Sequence, residues 1–341
     1  MTKSGANLND LAQHLGLSKA TVSRALNGYE DISEATKRRV LETALELGYE
    51  PSTSARRLAI RQTETIGLVL PAATGEASGS FISEFTASVA NALTPQGFDL
   101  LVHSSQGESD PVSGYRKLVR ARKVDGFIVI RTREQDARVD WLLEQGVPFV
   151  AHGRTARANE HAWFDIDAGQ AFYQATQHLI ALGHRRIAMI SGGDLLYSSR
   201  LREQGFREAM KDSGLFVPEH YVTEGDLSGL EGVRRGAELL SAPERPTAVL
   251  CVNDATAFGM IKAVRDAGLR VPHDVSVIGY DGVALGELLD PPLTTMTRSI
   301  GESGQMVARL LFEVLRGASP RQHQTLWPAE LLRRASDGPA P

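Results

Sequence analysis

The sequence predicts a small all-α head followed by an α/β core of two doubly wound parallel-sheet lobes. Three observations predict it. Between residues 8 and 47, apolar side chains recur at helical spacing in three short segments, each closed by a glycine. From Thr65 onward, short apolar runs alternate with helical stretches, as in parallel strands covered on both faces. About seven such units are too many for one compact sheet of ordinary size, and two smaller lobes hold them better.

In the head, Asn7 can cap a first helix, with Asp10 near its positive end. Leu8, Leu11, Ala12 and Leu15 share one face, Gly16 ends the helix and Leu17 turns inward. Ser18 caps a second helix with Val22, Ala25 and Leu26 inside, which leaves Lys19, Ala20, Ser23 and Arg24 pointing away. Asn27-Gly28 stops it. Ser33 opens a third helix, with Val40, Leu41, Ala44 and Leu47 expected inside and Gly48 at its end.

Two short helices about a glycine turn, braced by a third, form a helix-turn-helix, whose second helix enters a DNA major groove N-terminus first. There Lys19 and Arg24 suit guanine edges and Ala20 a thymine methyl. Ser18, Thr21 and Ser23 suit phosphates, and Asn27 and Ser33 complete the expected contact set. A three-helix bundle without a ligand is the plainer alternative.

Pro51 breaks the third helix, and Ser52-Thr53-Ser54 can cap a short new one. The segment 55–59 is too short to be a stable helix in water, so it is expected to fold on docking. Leu58 then serves as a wedge in a minor-groove base step, with Arg56 and Arg57 in that groove's negative potential. An ordinary linker with a stray leucine is the alternative. Residues 1–61 hold nine Lys/Arg against seven Asp/Glu, net +2, and the remainder nets −6, so the positive charge sits where DNA is expected.

The core's expected strands are 65–70, 98–104, 126–130, 148–152, 186–191, 248–252 and 275–280. Helices are expected near 82–94, 112–121, 136–145, 170–182, 199–213, 230–241, 254–267 and 301–316. Ligands of such sheets sit beyond the carboxyl ends of strands. That rule selects Arg131, Arg154, Asn253 and Asp281, with Arg202 nearby, as the polar lining of one cleft. Phe81 or Phe164 would give it an aromatic floor. Each has a plainer reading: Asn253 as a helix cap, Asp281 as a turn residue, Arg202 as an exposed helical arginine.

The bulk numbers agree. With 42% hydrophobic and 23% charged residues the composition is that of a soluble globular protein. No apolar run spans a bilayer, MTKSGANLND lacks the apolar core of a signal peptide, and the single Cys251 forms no internal disulfide, so the cytoplasm is expected. Phosphate-loop, dinucleotide, nucleophile-elbow and zinc motifs are missing. No catalytic constellation, cofactor or metal site is expected, and Cys251 reads as an inert buried thiol.

The segments LNDLAQHLGLSKATVSRALNG and ISEATKRRVLETALELGYEPSTSARRLA closely resemble the DNA-binding head of the lactose/galactose-repressor (LacI/GalR) family. TIGLVLP, PFVAHGR, SRLREQGF, PTAVLCVNDA, VSVIGYDG and PPLTTMTRSI resemble the same family's effector domain, which is similar to periplasmic sugar-binding proteins. The resemblance covers nearly the whole chain. It implies a transcription regulator, expected to be a repressor, that binds near-palindromic operators as a homodimer. It implies base reading at Lys19 and Ala20, intercalation by Leu58, and sugar contacts at Arg202, Asn253 and Asp281. Phe164 and Arg154 match less specifically, and Arg298 in TTMTRSI is expected to face the cleft. Leu227 stands where some members carry a stacking tryptophan.

The expected boundaries are 1–51 for the head, 52–63 for the hinge helix, 64–335 for the effector domain and 336–341 for a tail. Lobe 1 is expected at about 64–164 and 297–318, and lobe 2 at about 165–296 and 319–335. A small neutral sugar is the expected effector, a purine being the other choice within the family. A periplasmic-type solute-binding protein without a regulatory role is the rival reading.

Overall fold

The computed structural model describes residues 6–26, 29–49, 62–70, 79–105 and 110–341. The chain divides into two units at Glu64/Thr65. Asn27, Arg56, Leu58 and the expected hinge helix lie outside the described residues.

The head unit holds α1 (Leu8–Leu15), α2 (Lys19–Leu26) and α3 (Glu34–Glu46). Asn7 Oδ1 accepts from the Asn9 amide at 2.8 Å, and Asp10 Oδ2 accepts from the Asn7 amide at 2.9 Å, a reciprocal cap. Leu11, Ala12, Leu15, Val22, Ala25, Val40 and Ala44 close one small core. Leu41, expected inside, is 50% exposed. Val40, Ala44 and Leu47 form one helical row, and Thr43 falls on it whereas Leu41 is turned about 100° away. The buried Thr43 donates its hydroxyl to the Arg39 carbonyl at 2.9 Å. Arg39 Nη2 donates to the Leu15 carbonyl at 2.6 Å, satisfying the last turn of α1.

The second unit is two lobes of one sheet each. The first sheet uses β1 (Thr65–Leu70), β2 (Asp99–Ser104), β3 (Gly126–Val129), β4 (Phe149–His152), β5 (Ala162–Ile166) and β11 (Gln324–Trp327). Its order is β11-β5-β4-β3-β1-β2, parallel throughout. One face is covered by α4 (Gly79–Leu93) and α11 (Ile300–Leu315), which bring Phe85, Val89, Val307 and Leu311 onto Ile66, Leu68 and Ile128. The other is covered by α5 (Ser113–Arg120) and α6 (Ala137–Gln145) through Tyr115, Leu118, Val139 and Leu142.

The second sheet uses β6 (Ile187–Ser191), β7 (Val222–Glu224), β8 (Ala248–Cys251), β9 (Ser276–Asp281), β10 (Thr294–Thr297) and β12 (Glu330–Leu332). Its order is β12-β10-β9-β8-β6-β7, with only β12 antiparallel. It lies between α7 (Ala168–Ala181) with α8 (Tyr197–Asp212) and α9 (Gly229–Leu240) with α10 (Asp254–Asp266). Cys251 is buried within it, and burial pushes its thiol pKa up.

The chain crosses between lobes after β5, after β10 and between β11 and β12. Three expected boundaries change. Asp165 and Ile166 belong to the first sheet, because β5 runs through them beside β4. Residues 324–327, assigned to lobe 2 from the sequence, are a parallel neighbour of β5 in lobe 1, with Gln324 opposite Trp163. The expected tail is part of lobe 2: Ser336 is fully buried, donates to the Val277 carbonyl at 2.6 Å and accepts the Thr294 amide at 2.8 Å.

Candidate functional site

The carboxyl ends of strands in the two sheets face one another across a cleft. Seven of the expected effector residues line it: Phe81, Arg131, Arg154, Arg202, Asn253, Asp281 and Arg298. Phe164 does not. It is fully buried in the lobe 1 core, edge-on to Trp327 at 4.9 Å between centroids. Neighbouring strand residues point to opposite faces, and in β5 it is Asp165 that reaches the cleft.

Arg202 and Asp281 dominate the lobe 2 wall. Arg202 rides on α8, which is held hard against α7: a Cβ on Gly205 would come within 2.0 Å of the Gly169 carbonyl oxygen. That close approach fixes where the Arg202 stem leaves the helix. Its guanidinium lies 3.7 Å from the Tyr280 ring centroid and donates to the Val252 carbonyl at 2.5 Å.

Asp281 ends β9 with φ +124, and Gly282 follows with φ +75, where a Cβ would come within 2.0 Å of Thr297 Oγ1. Thr297 Oγ1 donates to the Asp281 carbonyl at 3.0 Å. The sharp turn aims the Asp281 carboxyl into the cleft. Burial pushes that carboxyl up to about 7; Arg202 opposes the shift, Asp254 adds to it, and Arg131 opposes it.

Asn253 fulfils the plainer reading while lining the wall. Its Oδ1 caps α10 through the Thr256 amide at 2.8 Å, and its Nδ2 donates to the Leu227 carbonyl at 3.0 Å. Leu227 itself presents an apolar side chain to the cleft.

On the lobe 1 wall, Arg154 pairs with Asp165 at 2.8 Å, and burial raises the Asp165 pKa. Burial lowers the pKa of Arg131, which Asp281 opposes. Arg298 stands over the Trp327 ring at 4.5 Å and pairs with Glu330 at 3.4 Å, so both later crossings between lobes meet at it. The lobes touch directly: the Tyr197 amide donates to the Thr132 carbonyl at 3.0 Å, and Arg200 pairs with Glu134. His152, Asp165, Tyr197 and Tyr280 line the cleft without having been picked from the sequence. His152 and Tyr280 stood at the ends of expected strands, so the strand-end rule had them in view.

In the head, Lys19, Ala20 and Arg24 are exposed on α2 opposite its buried Val22 and Ala25. Arg24 pairs with Asp31 and lies over the Tyr29 ring at 5.4 Å. Ser18 Oγ accepts the Thr21 amide at 3.1 Å and meets Thr21 Oγ1 at 2.8 Å. Ser33 caps α3 through the Thr36 amide at 3.3 Å, and Ser23 is half-buried.

The head matches the profile of bacterial regulatory proteins of the lacI family over residues 7–52, and residues 176–336 match a periplasmic binding protein-like domain. The HTH-type transcriptional regulator AglR of Rhizobium meliloti (strain 1021) is 37% identical across 98% of this chain and 95% of its own length. The chain belongs to the LacI family. Another member, the ribose operon repressor of Escherichia coli (strain K12), is 32% identical over 97% of this chain and 99% of its own. The Lac repressor dimer bound to operator and the anti-inducer ONPF superposes with a TM-score of 0.83 at 27% identity, covering 98% of this chain and 99% of that one. The complex of the regulator CelR with cellobiose gives 0.74 at 30%, covering 97% and 99%. As a LacI-family protein with its helix-turn-helix in place, the chain is a DNA-binding transcriptional regulator and not a plain solute-binding protein.

Proposed function

We propose that this LacI-family regulator acts in the cytoplasm as a homodimer on a near-palindromic operator, and that a neutral sugar in the interlobe cleft sets its operator affinity. The carrying observation is the facing of Arg202, Asp281 and Tyr280 on lobe 2 with Arg131 and the Arg154–Asp165 pair on lobe 1. Sugar hydroxyls donate to carboxylates and accept from guanidiniums, while Phe81, Leu196, Leu227 and Ile300 give the sugar's C–H faces an apolar surface. The cellobiose complex of CelR and the ribose-bound regulator from Enterococcus faecium support this ligand class.

A ligand shifts an equilibrium only through differential affinity for its states. A sugar touching both walls favours one interlobe arrangement, and in a dimer that arrangement sets the spacing of the two hinge segments. In the head, Lys19, Ala20 and Arg24 read bases. Ser18, Thr21, Ser23, Asn27 and Ser33 meet the backbone, and Arg56 and Leu58 enter the minor groove. Release of Arg24 from Asp31 is then part of docking.

Fluorescence anisotropy of labelled duplexes tests this. The expected outcome is a preference for a near-palindromic site over random duplex that a sugar changes and that falls steeply with salt. Equal binding to both duplexes removes the operator reading.

A further inference from the structure

One group in the cleft has no role in the reading above. His152 ends β4 and lines the cleft from lobe 1. Its ring is held among Phe81, Phe85 and Phe164, with centroids 5.8, 4.9 and 5.8 Å away. That nest would suit an apolar side chain. Instead it holds an imidazole whose Nε2 is buried without a hydrogen-bond partner among the described residues. A buried polar atom left unpaired is a penalty that an apolar side chain avoids, so it points to a partner supplied from outside the chain.

We infer that His152 is the lobe 1 anchor of the effector, its Nε2 accepting a hydrogen bond from a sugar hydroxyl opposite Arg202 and Asp281 of lobe 2. This rests on the sugar reading and deepens it. The cleft's four arginines, Arg131, Arg154, Arg202 and Arg298, outnumber its two carboxylate acceptors, Asp165 and Asp281. Asp165 is taken by Arg154 and by the Ile166 amide at 2.9 Å, and Asn253 Oδ1 by the Thr256 amide.

Burial, together with the Arg202 charge, holds the imidazole down at about 4, so the ring is neutral at physiological pH and keeps one nitrogen lone pair. In the tautomer protonated at Nδ1, that lone pair lies on Nε2, the nitrogen left without a partner among the described residues. The aromatic nest fixes the direction in which that lone pair points. A ligand gripped by Arg202 and Asp281 alone would sit on lobe 2 only. The His152 contact lets the same molecule engage lobe 1 through a neutral, directional acceptor.

The test uses the full-length protein and a panel of maltose, cellobiose, sucrose, raffinose and ribose. The sugar giving the largest thermal shift is carried into calorimetric titration of wild type, His152→Phe and Arg202→Ala. His152→Phe keeps an aromatic ring in the nest and removes both nitrogens. It is expected to lose about tenfold or more in sugar affinity without a fall in melting temperature. Long-range ¹H–¹⁵N spectra of the wild type give an independent readout, because the His152 Nε2 resonance should move when sugar is added. Unchanged affinity in His152→Phe with a large loss in Arg202→Ala, or an unmoved His152 resonance in sugar-saturated protein, overturns this inference and leaves the cleft reading standing. Wild-type affinity in both variants, or no sugar binding at all, overturns the cleft reading together with it.

Discussion

Asp281→Asn should stabilise the effector-free protein while weakening sugar binding, and the balance should depend on pH. The carboxyl sits where burial disfavours its charge, and Arg202 and Arg131 offset that only in part, so its pKa stands at about 7 instead of an ordinary 3.8. A group whose folded pKa is raised contributes most to stability below its unfolded value and loses that contribution as pH rises through the folded value. Relative to a neutral isostere, wild type is therefore equal near pH 4, falls behind between pH 4 and 7, and stays behind above.

At about 1.4 kcal/mol per pH unit, the ceiling on the difference is about 4 kcal/mol, and relaxation of the cleft lowers it. Asparagine also tolerates positive φ better than most residues, so the strained turn gives no reason for a loss. Urea unfolding at pH 5 and pH 8 measures this: the gain from Asp281→Asn should be larger at pH 8. Calorimetry at pH 8 should show sugar affinity down by roughly tenfold or more, as a charge-assisted acceptor is replaced by a neutral amide. A variant less stable than wild type at pH 8 would refute the claim that stability is given up at this carboxyl for function.

Arg202→Ala should weaken sugar binding by roughly 10- to 100-fold, as one charged hydrogen bond and the Tyr280 contact are lost; a change under threefold in calorimetry displaces the site from this wall. Phe164→Ala should lower unfolding free energy by about 3–5 kcal/mol, because the ring is buried in the lobe 1 core; a loss under about 1 kcal/mol in urea melts would return it to the cleft surface. Asp31→Asn should raise operator affinity up to about fivefold at low salt, since it releases Arg24 from an exposed ion pair of modest worth; weaker operator binding in an anisotropy titration contradicts the release step. Glu134→Gln should alter sugar affinity by about two- to fivefold at low ionic strength and little at high, because the Arg200–Glu134 pair joins the lobes; identical titrations at low salt leave that pair no part in lobe closure.

All seven apolar runs expected as strands appear as strands; the central ones are buried on both faces and so written as consecutive apolar residues, whereas β2 sits at the sheet edge and is partly exposed. Five strands among the described residues escaped notice: β5 is a short AWFDI run interrupted by Asp165, β7 has only the three residues VTE, and the other three lack an apolar run. β10 reads TTMT, β11 reads QTLW and β12 has three residues. Their pairing comes from distant partners, as when Gln324 meets Trp163, and local sequence does not carry it. The misplacement of 324–327 has the same origin.

Strand-end logic located most of the cleft because parallel sheets leave their carboxyl ends open. Phe164, expected as an aromatic floor where no strand was foreseen, missed the cleft by one residue: in a strand, the choice between core and cleft alternates with position, and Asp165 took the cleft. His152 was passed over because a histidine closing an apolar run looks the same in sequence whether its ring nitrogen is satisfied or not. In the head, Leu41 and Thr43 exchanged places against hydrophobicity because the helix row decides which side chain is covered. Arg24 was expected as a base reader from its place on α2, but its pairing with Asp31, seven positions on, was not legible in the sequence.

The coupling between cleft and operator is tested most directly by one titration. Full-length protein is bound to a labelled near-palindromic duplex, and the sugar shown by calorimetry to occupy the cleft is added to saturation. The expected result is a change of at least tenfold in operator Kd for wild type, or about 1.4 kcal/mol of coupling, and no change for Arg202→Ala at the same sugar concentration. An operator Kd that stays constant while the sugar saturates the wild-type cleft would contradict the coupling.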